Sequence, residues 1–355
     1  MILQPILPRS ESGPVVIAGP CSAESAGQML DAARGVAAAG ASVLRAGAWK
    51  PRTKPGGFEG YGADALPWIA RAARAAGLLS CTEVATPAHV RAALEAGIDM
   101  LWIGARTTAN PFAVQEIADT LADLHARVPV LIKNPVSPDV DLWTGALERI
   151  SAAGITRIAA VHRGFSTYGD SYYRNSPQWR VPIELHRRLP GLPLICDPSH
   201  ISGRAEIVDK VAQQAMDLGF DGLMIEVHCN PELALSDARQ QITPEQLRDL
   251  LRGLRLCRAD IASGSERLAS LRAEIDNIDE RLLSLLAERM AVTDEVGRLK
   301  QREGMPVVQP ERYNALMGLR SDEAAARGLD PAFVRAVLAA IHEESVRRQL
   351  EIVSR

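Results

Sequence analysis

The sequence predicts an α/β protein, a (β/α)8 barrel of the TIM type, followed by an all-α helical domain. Short runs rich in Val, Ile and Leu alternate with Ala-rich segments of helical length from residue 15 to about residue 262. From Leu271 onward no strand-like run follows, and apolar residues recur at steps of 3 and 4. Eight strand–helix units in about 250 residues are typical of a closed barrel, and the steps of the tail are typical of an amphipathic helix.

The predicted strands are short, apolar and bounded by turn-forming residues. They cover residues 15–20, 42–47, 78–84, 100–106, 129–134, 157–164, 193–200 and 222–228. Helices are predicted between them, for example at 64–76, 86–96, 110–125 and 206–218. A doubly wound open sheet is the alternative fold. It would need a glycine-rich dinucleotide turn after its first strand, where this chain has GPCSAES.

The barrel pattern ends at the ASGS segment, residues 262–265. We therefore expect a barrel domain over 1–262 and a helical domain over 263–355. The length of 355 residues agrees with two domains of about 150 residues each.

Three helices are predicted in the tail. The first extends from Leu271 to about Arg302, and Glu303–Gln309, with its glycine and proline, breaks it. The others cover 310–327 and 331–353. Three helices of this size bury a small core, so we expect this domain to need a partner, either the barrel or a second copy.

The composition is that of a cytoplasmic enzyme. Basic residues number 40 and acidic residues 43, so no positive excess indicates a nucleic-acid or membrane-surface partner. The apolar runs are far shorter than the ~20 residues of a membrane span, and the N-terminal MILQPILPRSESG lacks the pattern of a signal peptide. Five scattered cysteines, an odd number, favour a reducing compartment.

Charged residues gather at the carboxyl ends of the predicted strands, where barrels carry their active sites. They are Arg45, Glu83, Arg106, Lys133, Arg163, Asp197, His200, Glu226 and His228. Since charged side chains are seldom buried unless paired, a ring of them at one mouth indicates a site for a strongly anionic ligand. For any one of these residues, a separate solvated salt bridge is the alternative.

A metal site can be assembled at the same mouth. Its ligands would be Cys21, His200, Glu226 and Asp237. One sulfur, one nitrogen and two carboxylates suit a divalent transition ion such as Mn, Fe, Zn or Co better than Mg or Ca. For Cys21 alone, a small buried apolar side chain is the alternative.

A series of short motifs follows one another along the barrel. They are AGPCSAES (18–25), LRAGAWKPRT (44–53), TEV (82–84), GAR (104–106), IKNP (132–135), HRG (162–164), DPSHISG (197–203), IEVH (225–228) and ALSDARQQ (234–241). In this order they resemble 3-deoxy-D-arabino-heptulosonate 7-phosphate (DAHP) synthase of type I-beta. The related 3-deoxy-octulosonate 8-phosphate synthases share the barrel but are expected to carry a KANRS-like stretch in place of KPRT (50–53).

The resemblance implies a role for each group of residues. Phosphoenolpyruvate would be bound by Arg45, Lys50, Gly104, Ala105, Arg106, Lys133 and Arg163. Erythrose 4-phosphate would be bound by Lys50, Pro51, Arg52, Thr53 and Asp237. The metal, with Mn expected first, would be held by Cys21, His200, Glu226 and Asp237. The expected catalytic residues are Lys133, Glu83, Cys21 and His200, with Glu83 near the reacting water.

The helical tail carries a second resemblance. The stretch LRAEIDNIDERLLSLLAERMAVTDEVGRLK from residue 271 and IHEESVRRQ at 341–349 look like the first and last helices of AroQ-class chorismate mutases. Carried over by position, the chorismate- or prephenate-binding residues are Arg272, Arg289, Lys300, Arg312, Ser345 and Gln349. Independently, Arg289 and Lys300 lie about 20° apart around a helix, and Ser345 and Gln349 are i, i+4 neighbours.

Chorismate rearranges to prephenate without a nucleophile or a proton transfer, so the protein must hold a compact conformer and stabilise the ether oxygen. Arg289, Lys300 and Gln349 are the expected catalytic residues, and in the family's domain-swapped dimer Arg272 would serve the partner's site. Tyr313 and Gln309 stand where the family's enteric members carry acidic residues. The alternative is a regulatory dimerisation module that senses chorismate or prephenate, with prephenate as the feedback inhibitor of the barrel.

Overall fold

The computed structural model describes residues 1–7, 13–50, 56–169, 172–256 and 266–354. The chain divides into two compact units, Met1–Cys257 and Arg258–Arg355. The first is a closed barrel and the second is helical, which confirms the predicted fold class. The predicted boundary after residue 262 falls within residues 257–265, outside the described part.

Eight parallel strands form the barrel in the order of the chain, so the open doubly wound sheet is the wrong alternative. They are β1 Val15–Gly19, β2 Val43–Arg45, β3 Leu79–Val84, β4 Met100–Ile103, β5 Val130–Lys133, β6 Ile158–His162, β7 Leu194–Cys196 and β8 Gly222–Glu226. The closing ladder joins β1 to β8, from Val15 opposite Gly222 to Gly19 opposite Glu226. It brings the two ends of the barrel sequence side by side.

Helices follow the strands around the barrel. They are α1 Ala26–Ala39, α2 Leu66–Ala75, α3 Pro87–Glu95, α4 Ala105–Thr108, α5 Pro111–Asp123, α6 Val140–Ala152, α7 Arg180–Arg188, α8 Pro198–Ser202, α9 Val208–Asp217 and α10 Pro244–Gly253. Local side chains fix where several begin: Ser25, Thr86 and Asp139 each accept a hydrogen bond from a backbone N–H in the first turn. Gly40 ends α1 in the left-handed conformation, with φ of 106°.

Alternation along each strand produces two cores. In β4, Met100 and Trp102 point into the barrel, whereas Leu101 and Ile103 pack against the helices outside it. Ile6, from the segment before β1, belongs to the inner core and is buried. The inner core is therefore apolar up to the level of Trp102, and the charged residues lie above it at the carboxyl ends of the strands.

The second unit consists of the predicted three helices: α11 Glu266–Glu303, α12 Pro310–Ala326 and α13 Pro331–Val353. Helix α13 packs against both of the others. Gly297 lets α11 approach α13 closely, because a Cβ there would lie 3.1 Å from Ile352 Cδ1 and 3.2 Å from Gln349 Cγ.

The first half of α11 carries an apolar stripe that its own unit leaves exposed. The stripe consists of Leu271, Ile275, Ile278, Leu282 and Leu285, which are 39–60% exposed. Because an amphipathic helix normally buries its apolar face, this stripe indicates a surface for a partner. Among the described residues, no helix combines the length and the apolar character that crossing a membrane requires.

Candidate active sites

The mouth of the barrel contains a cavity of about 280 Å³ that collects most of the predicted barrel residues. Its lining is Lys50, Glu83, Gly104, Ala105, Arg106, Lys133, Val136, Arg163, Ser166, Arg174, Asn175, His200 and Asp237. Pro51, Arg52 and Thr53 lie outside the described residues, so their role in binding erythrose 4-phosphate stays a prediction. Cys21, Arg45 and Glu226 are buried beneath this lining.

Two buried ion pairs form the floor of the cavity. Arg45 Nη1 lies 2.7 Å from Glu226 Oε1, and Lys133 Nζ lies 2.7 Å from Asp197 Oδ2. Burial opposes the charge of Asp197, but His200 and Lys133 hold the pKa of its carboxyl well below the usual range. The floor thus presents cations whose positions are fixed by carboxylates before any ligand binds.

Three of the four predicted metal ligands converge. One ligand atom each of Cys21, Glu226 and Asp237 lies within 4.8 Å of the others. His200 completes the set, with Nε2 at 3.7 Å from Glu226 Oε1. Its Nδ1 lies 3.0 Å from Asp197 Oδ1, which directs Nε2 towards the cluster, the arrangement usual for a metal-binding histidine. These donors fit a divalent transition ion.

The thiol of Cys21 needs a cation to become a thiolate. Burial first, and then the charge of Glu226, raises the pKa of this thiol to about 12. The ammonium of Lys50 opposes that shift and donates to Sγ at 2.9 Å. Because thiolates are the metal-binding form of cysteine, a metal that bound to Cys21 would displace the thiol proton.

Glu83 sits closely against the turn that follows β4. Its Oε2 accepts a hydrogen bond from Trp102 Nε1 at 3.1 Å. A Cβ at Gly104 would lie 2.1 Å from Glu83 Oε1, so only glycine lets the carboxylate occupy this position. The next residues, Ala105 and the exposed Arg106, begin the short helix α4 at the cavity wall.

Sequence reasoning did not single out the residues that hold Arg163. Asn134 Oδ1 accepts from the Arg163 backbone N–H at 2.7 Å, and Asn175 Oδ1 accepts from Nη1 at 2.6 Å. Burial lowers the pKa of the Arg163 guanidinium to about 10, and Arg174 and Arg106 add to this effect. Asn134, in the IKNP motif, could have been found from its place after β5, but the loop residues Asn175 and Arg174 carried no comparable signal.

His228, expected at the mouth, does not line the cavity. Strand β8 ends at Glu226, so His228 belongs to the following loop and is buried there. Its Nδ1 accepts from the Asn230 N–H at 2.9 Å, and its Nε2 lies 3.6 Å from Glu24 Oε2. Its placement in the ring of charge is therefore wrong.

In the helical unit, five of the six predicted residues lie on the facing helices α11 and α13, and all of these but Arg272 lie in the region where the two helices pack together. Arg289 Nη1 donates to Ser345 Oγ at 2.7 Å. Lys300 Nζ donates to the carbonyl of Val307 at 2.6 Å, and burial lowers the pKa of this ammonium. Gln349 is buried, and its Oε1 has no hydrogen-bond partner among the described residues.

An aromatic pair stands beside these cations. The rings of Tyr313 and His342 are 4.4 Å apart between centroids. Burial, and then the charges of Arg289 and Lys300, lower the pKa of the His342 imidazole. His342 was not singled out from the sequence. The structure shows that it is half-buried on α13.

Arg272 and Arg312 stand apart from this group. Both are exposed. At 1.5 Å per residue, Arg272 lies about 25 Å along α11 from Arg289. One chain therefore does not bring Arg272 to the Arg289 side chain.

Comparison with known proteins agrees with the barrel motifs. The family model "DAHP synthetase I family" matches residues 7–258. The chain is 32% identical over 240 residues to phospho-2-dehydro-3-deoxyheptonate aldolase of Thermotoga maritima, with 68% of each chain covered. A crystal structure of phospho-2-dehydro-3-deoxyheptonate aldolase (DAHP synthase) from that organism superposes with a TM-score of 0.60 at 31% identity, covering 68% of each chain.

The tail matches a different family. The model "Chorismate mutase type II" matches residues 271–350. A T-protein of Enterobacter agglomerans is 41% identical over 78 residues, which are 22% of this chain and 21% of that protein, so the chain spans about a fifth of this relative. The chain thus belongs to the DAHP synthetase I family and carries a chorismate mutase type II domain after its barrel.

Proposed function

We propose that the barrel condenses phosphoenolpyruvate with erythrose 4-phosphate and water, giving DAHP and phosphate, and that the helical unit rearranges chorismate to prephenate. The observation that carries the first activity is the mouth cavity, in which cations surround the donor cluster of Cys21, Glu226 and Asp237. Such an arrangement suits a ligand with both phosphate and carboxylate groups, because guanidinium and ammonium groups bind these anions strongly.

In this proposal, the residues of the cavity bind and orient the two substrates. Arg163 and Arg106, at the wall, and Lys133, at the floor, surround the anionic groups of phosphoenolpyruvate. Its C3 carbon forms a bond to the aldehyde carbon of erythrose 4-phosphate. Water then adds at C2, and the C2–O bond to phosphate breaks. Glu83 is placed to orient the water, and Lys133, paired with Asp197, is placed to move a proton.

The barrel would work with a divalent metal, with Mn expected first and Fe, Co or Zn as alternatives. Cys21, His200, Glu226 and Asp237 would hold the ion, which when bound would act as a Lewis acid towards the aldehyde oxygen. Arg45 fixes Glu226 from the other side with a hydrogen bond of 2.7 Å. Asp197 holds His200 in the same way. Arg45 and Asp197 therefore orient two of the predicted metal ligands without being ligands themselves.

The barrel experiment compares acceptors of different length. Heptulosonate forms from three carbons of phosphoenolpyruvate and a four-carbon aldose phosphate, whereas octulosonate needs a five-carbon one. We expect phosphate release with erythrose 4-phosphate and little with a five-carbon aldose phosphate. Preference for the five-carbon acceptor would contradict the proposal in favour of an octulosonate synthase.

The proposal for the helical unit includes a homodimer or higher oligomer. The apolar stripe of α11 is exposed in one chain, and Arg272 lies beside it at the start of the helix. If two copies bury this stripe against each other, Arg272 of one chain can reach the Arg289 group of the other. Arg289 and Arg272 would then bind the carboxylates of chorismate, and Lys300 and Gln349 would donate to its ether oxygen.

A second role for the helical unit is feedback. Tyr313 packs against His342 and stands where the enteric members of the mutase family carry an acidic residue, so turnover can be weak while binding is kept. In that case the unit would act mainly as a sensor of chorismate or prephenate and inhibit the barrel. Reciprocal linkage then requires that barrel substrates change prephenate affinity.

Chorismate consumption by the full chain separates these roles. We expect turnover that Arg289→Ala abolishes and Arg298→Ala preserves. Arg298 is the matched control, because nine residues at 100° per residue place it on the opposite face of α11. Saturable prephenate binding without turnover would favour the sensor, and the absence of both would leave a dimerisation module.

A further inference from the structure

One aromatic side chain links the charged groups under the barrel cavity. Trp102, on β4, is fully buried at the top of the inner core. The Arg45 guanidinium carbon lies 4.7 Å from the centroid of its indole, and Lys133 Nζ lies 5.6 Å from it. The indole Nε1 donates to Glu83 Oε2 at 3.1 Å. A single side chain therefore contacts two cations and a carboxylate that face the cavity or support it.

Each of the two cations is connected through a carboxylate to a predicted metal ligand. Arg45 pairs with Glu226, and Lys133 pairs with Asp197, which in turn holds His200. A displacement of the indole would thus be transmitted to two different predicted metal ligands. The polar and cation–π contacts of Trp102 are with Arg45, Lys133 and Glu83. An effect of Trp102 on the two metal ligands therefore passes through Arg45 and Lys133.

The indole also offsets the repulsion between the two buried cations. Two cations close together in a buried site repel each other more strongly than in water. Arg45 Nε is buried without a hydrogen-bond acceptor among the described residues, so its carboxylate partner does not satisfy the whole guanidinium. The negative face of an indole attracts cations and adds to the attraction that the carboxylates of Glu226 and Asp197 provide.

We propose that Trp102 is a positioning residue for the condensation. Its ring fixes Lys133, which lines the cavity, relative to Arg45 beneath it, so that the anionic groups of phosphoenolpyruvate meet preformed positive charge, and its N–H fixes the carboxylate of Glu83. The inference rests on the proposed synthase function. In this inference, the indole ring of Trp102 supports substrate binding, and its N–H supports the chemical step through Glu83.

Two variants separate the ring from the N–H. Trp102→Phe keeps an aromatic face and loses the donor to Glu83. Trp102→Gln keeps an amide donor and loses the face. We expect the Phe variant to lower kcat about tenfold with little change in KM for phosphoenolpyruvate, as for the loss of one hydrogen bond to a charged group. The Gln variant should raise that KM about tenfold and change kcat less, as for the loss of a cation–π contact.

Trp143 provides the matched control. It is also fully buried, but it packs outside the barrel and donates to the carbonyl of Ile132 at 3.1 Å. Trp143→Phe should alter thermal unfolding without separating KM from kcat. If it gives the same kinetic split as Trp102→Phe, or if both Trp102 variants change KM and kcat alike, Trp102 is only a core residue.

Calorimetric binding of phosphoenolpyruvate to the metal-loaded full chain makes the test independent of turnover. The Gln variant should weaken this binding about tenfold, and the Phe variant should not. Wild-type binding without turnover, with this difference preserved, would reject the synthase function and keep the role of the ring. Equal affinities in wild type and the Gln variant would reject the role of Trp102 whether or not the enzyme turns over.

Discussion

The two units of the chain arrange the cationic side chains of their candidate sites in opposite ways. In the barrel, Arg45 and Lys133 are buried, and each is paired with a carboxylate of another strand or its end. In the helical unit, Arg289 donates to a serine hydroxyl, and Arg272 stands exposed on the distant half of the same helix. The barrel mouth therefore brings buried cations and their carboxylate partners together within one chain, whereas the helical unit has its cations spread along a helix with an exposed apolar stripe.

This difference follows from how each fold closes. A closed ladder of eight strands brings residues far apart in sequence to one mouth, so opposite charges can pair without a partner. The three helices leave the apolar stripe in the first half of α11 exposed, and in the proposed dimer a second copy covers it. In this proposal, the barrel site depends on the folding of one chain, and the helical site depends on association as well.

Metal removal should separate the two units most completely. With a chelator, DAHP formation should fall to background and return on addition of Mn, while chorismate turnover stays unchanged, since the donor cluster found among the described residues lies in the barrel. Both rates are measured on one sample of the full chain. Loss of chorismate turnover under the chelator would show that the helical site depends on the barrel.

Breaking one floor ion pair should have the next largest effect. Arg45→Met leaves the Glu226 carboxylate buried without its partner, which costs about 3–5 kcal/mol of unfolding free energy. Loss of a preorganised cation should also lower DAHP formation by about 10²–10³-fold. Denaturant unfolding of the barrel and phosphate release measure the two effects. Chorismate turnover should not change.

A double variant and a surface variant control this experiment. Arg45→Met with Glu226→Leu should regain most of the stability, because an apolar pair can replace a buried ion pair, yet remain inactive. Arg187→Ala removes an exposed pair with Glu184 and should change neither quantity measurably. A double variant as unstable as Arg45→Met would show that the floor is held by more than this pair.

Local sequence signals predicted the framework of both units. The short apolar runs gave the strands, and the period of Leu271, Ile275 and Ile278 gave α11. Arg163, Lys133 and His200 were predicted because they lie at or just after the ends of strands. Asn175, which holds Arg163, was not predicted, because it lies in a loop whose position depends on the folded barrel. Trp102 read as an ordinary strand residue, because nothing local shows which cations will meet above it.

The pH dependence of ligand binding offers a smaller test at the helical site. Burial and the charges of Arg289 and Lys300 lower the pKa of His342 in the free protein. A dicarboxylate bound to those cations offsets their charge, so the pKa of His342 should rise on binding. The complex then holds more protons than the free site, and prephenate affinity should increase as pH falls, by at most about tenfold per pH unit.

Calorimetric titration with prephenate between about pH 7.5 and pH 5.5 covers the range at and below the ordinary histidine pKa, because burial still lowers the pKa of His342 when the two cations are offset. His342→Leu should flatten the dependence, whereas His186→Gln, on the exposed part of α7, should leave it intact. An unchanged slope in His342→Leu would assign the proton to another group.

Mixing two inactive variants tests most directly that the helical site needs two chains. Arg272→Ala and Arg289→Ala should each lack chorismate turnover, while DAHP formation persists in both. Co-refolded in equal amounts, they should regain about a quarter of the wild-type turnover, because half of the dimers are mixed and each mixed dimer holds one intact site. A mixture as inactive as its parents, or an Arg272→Ala variant with full turnover, would contradict the shared site.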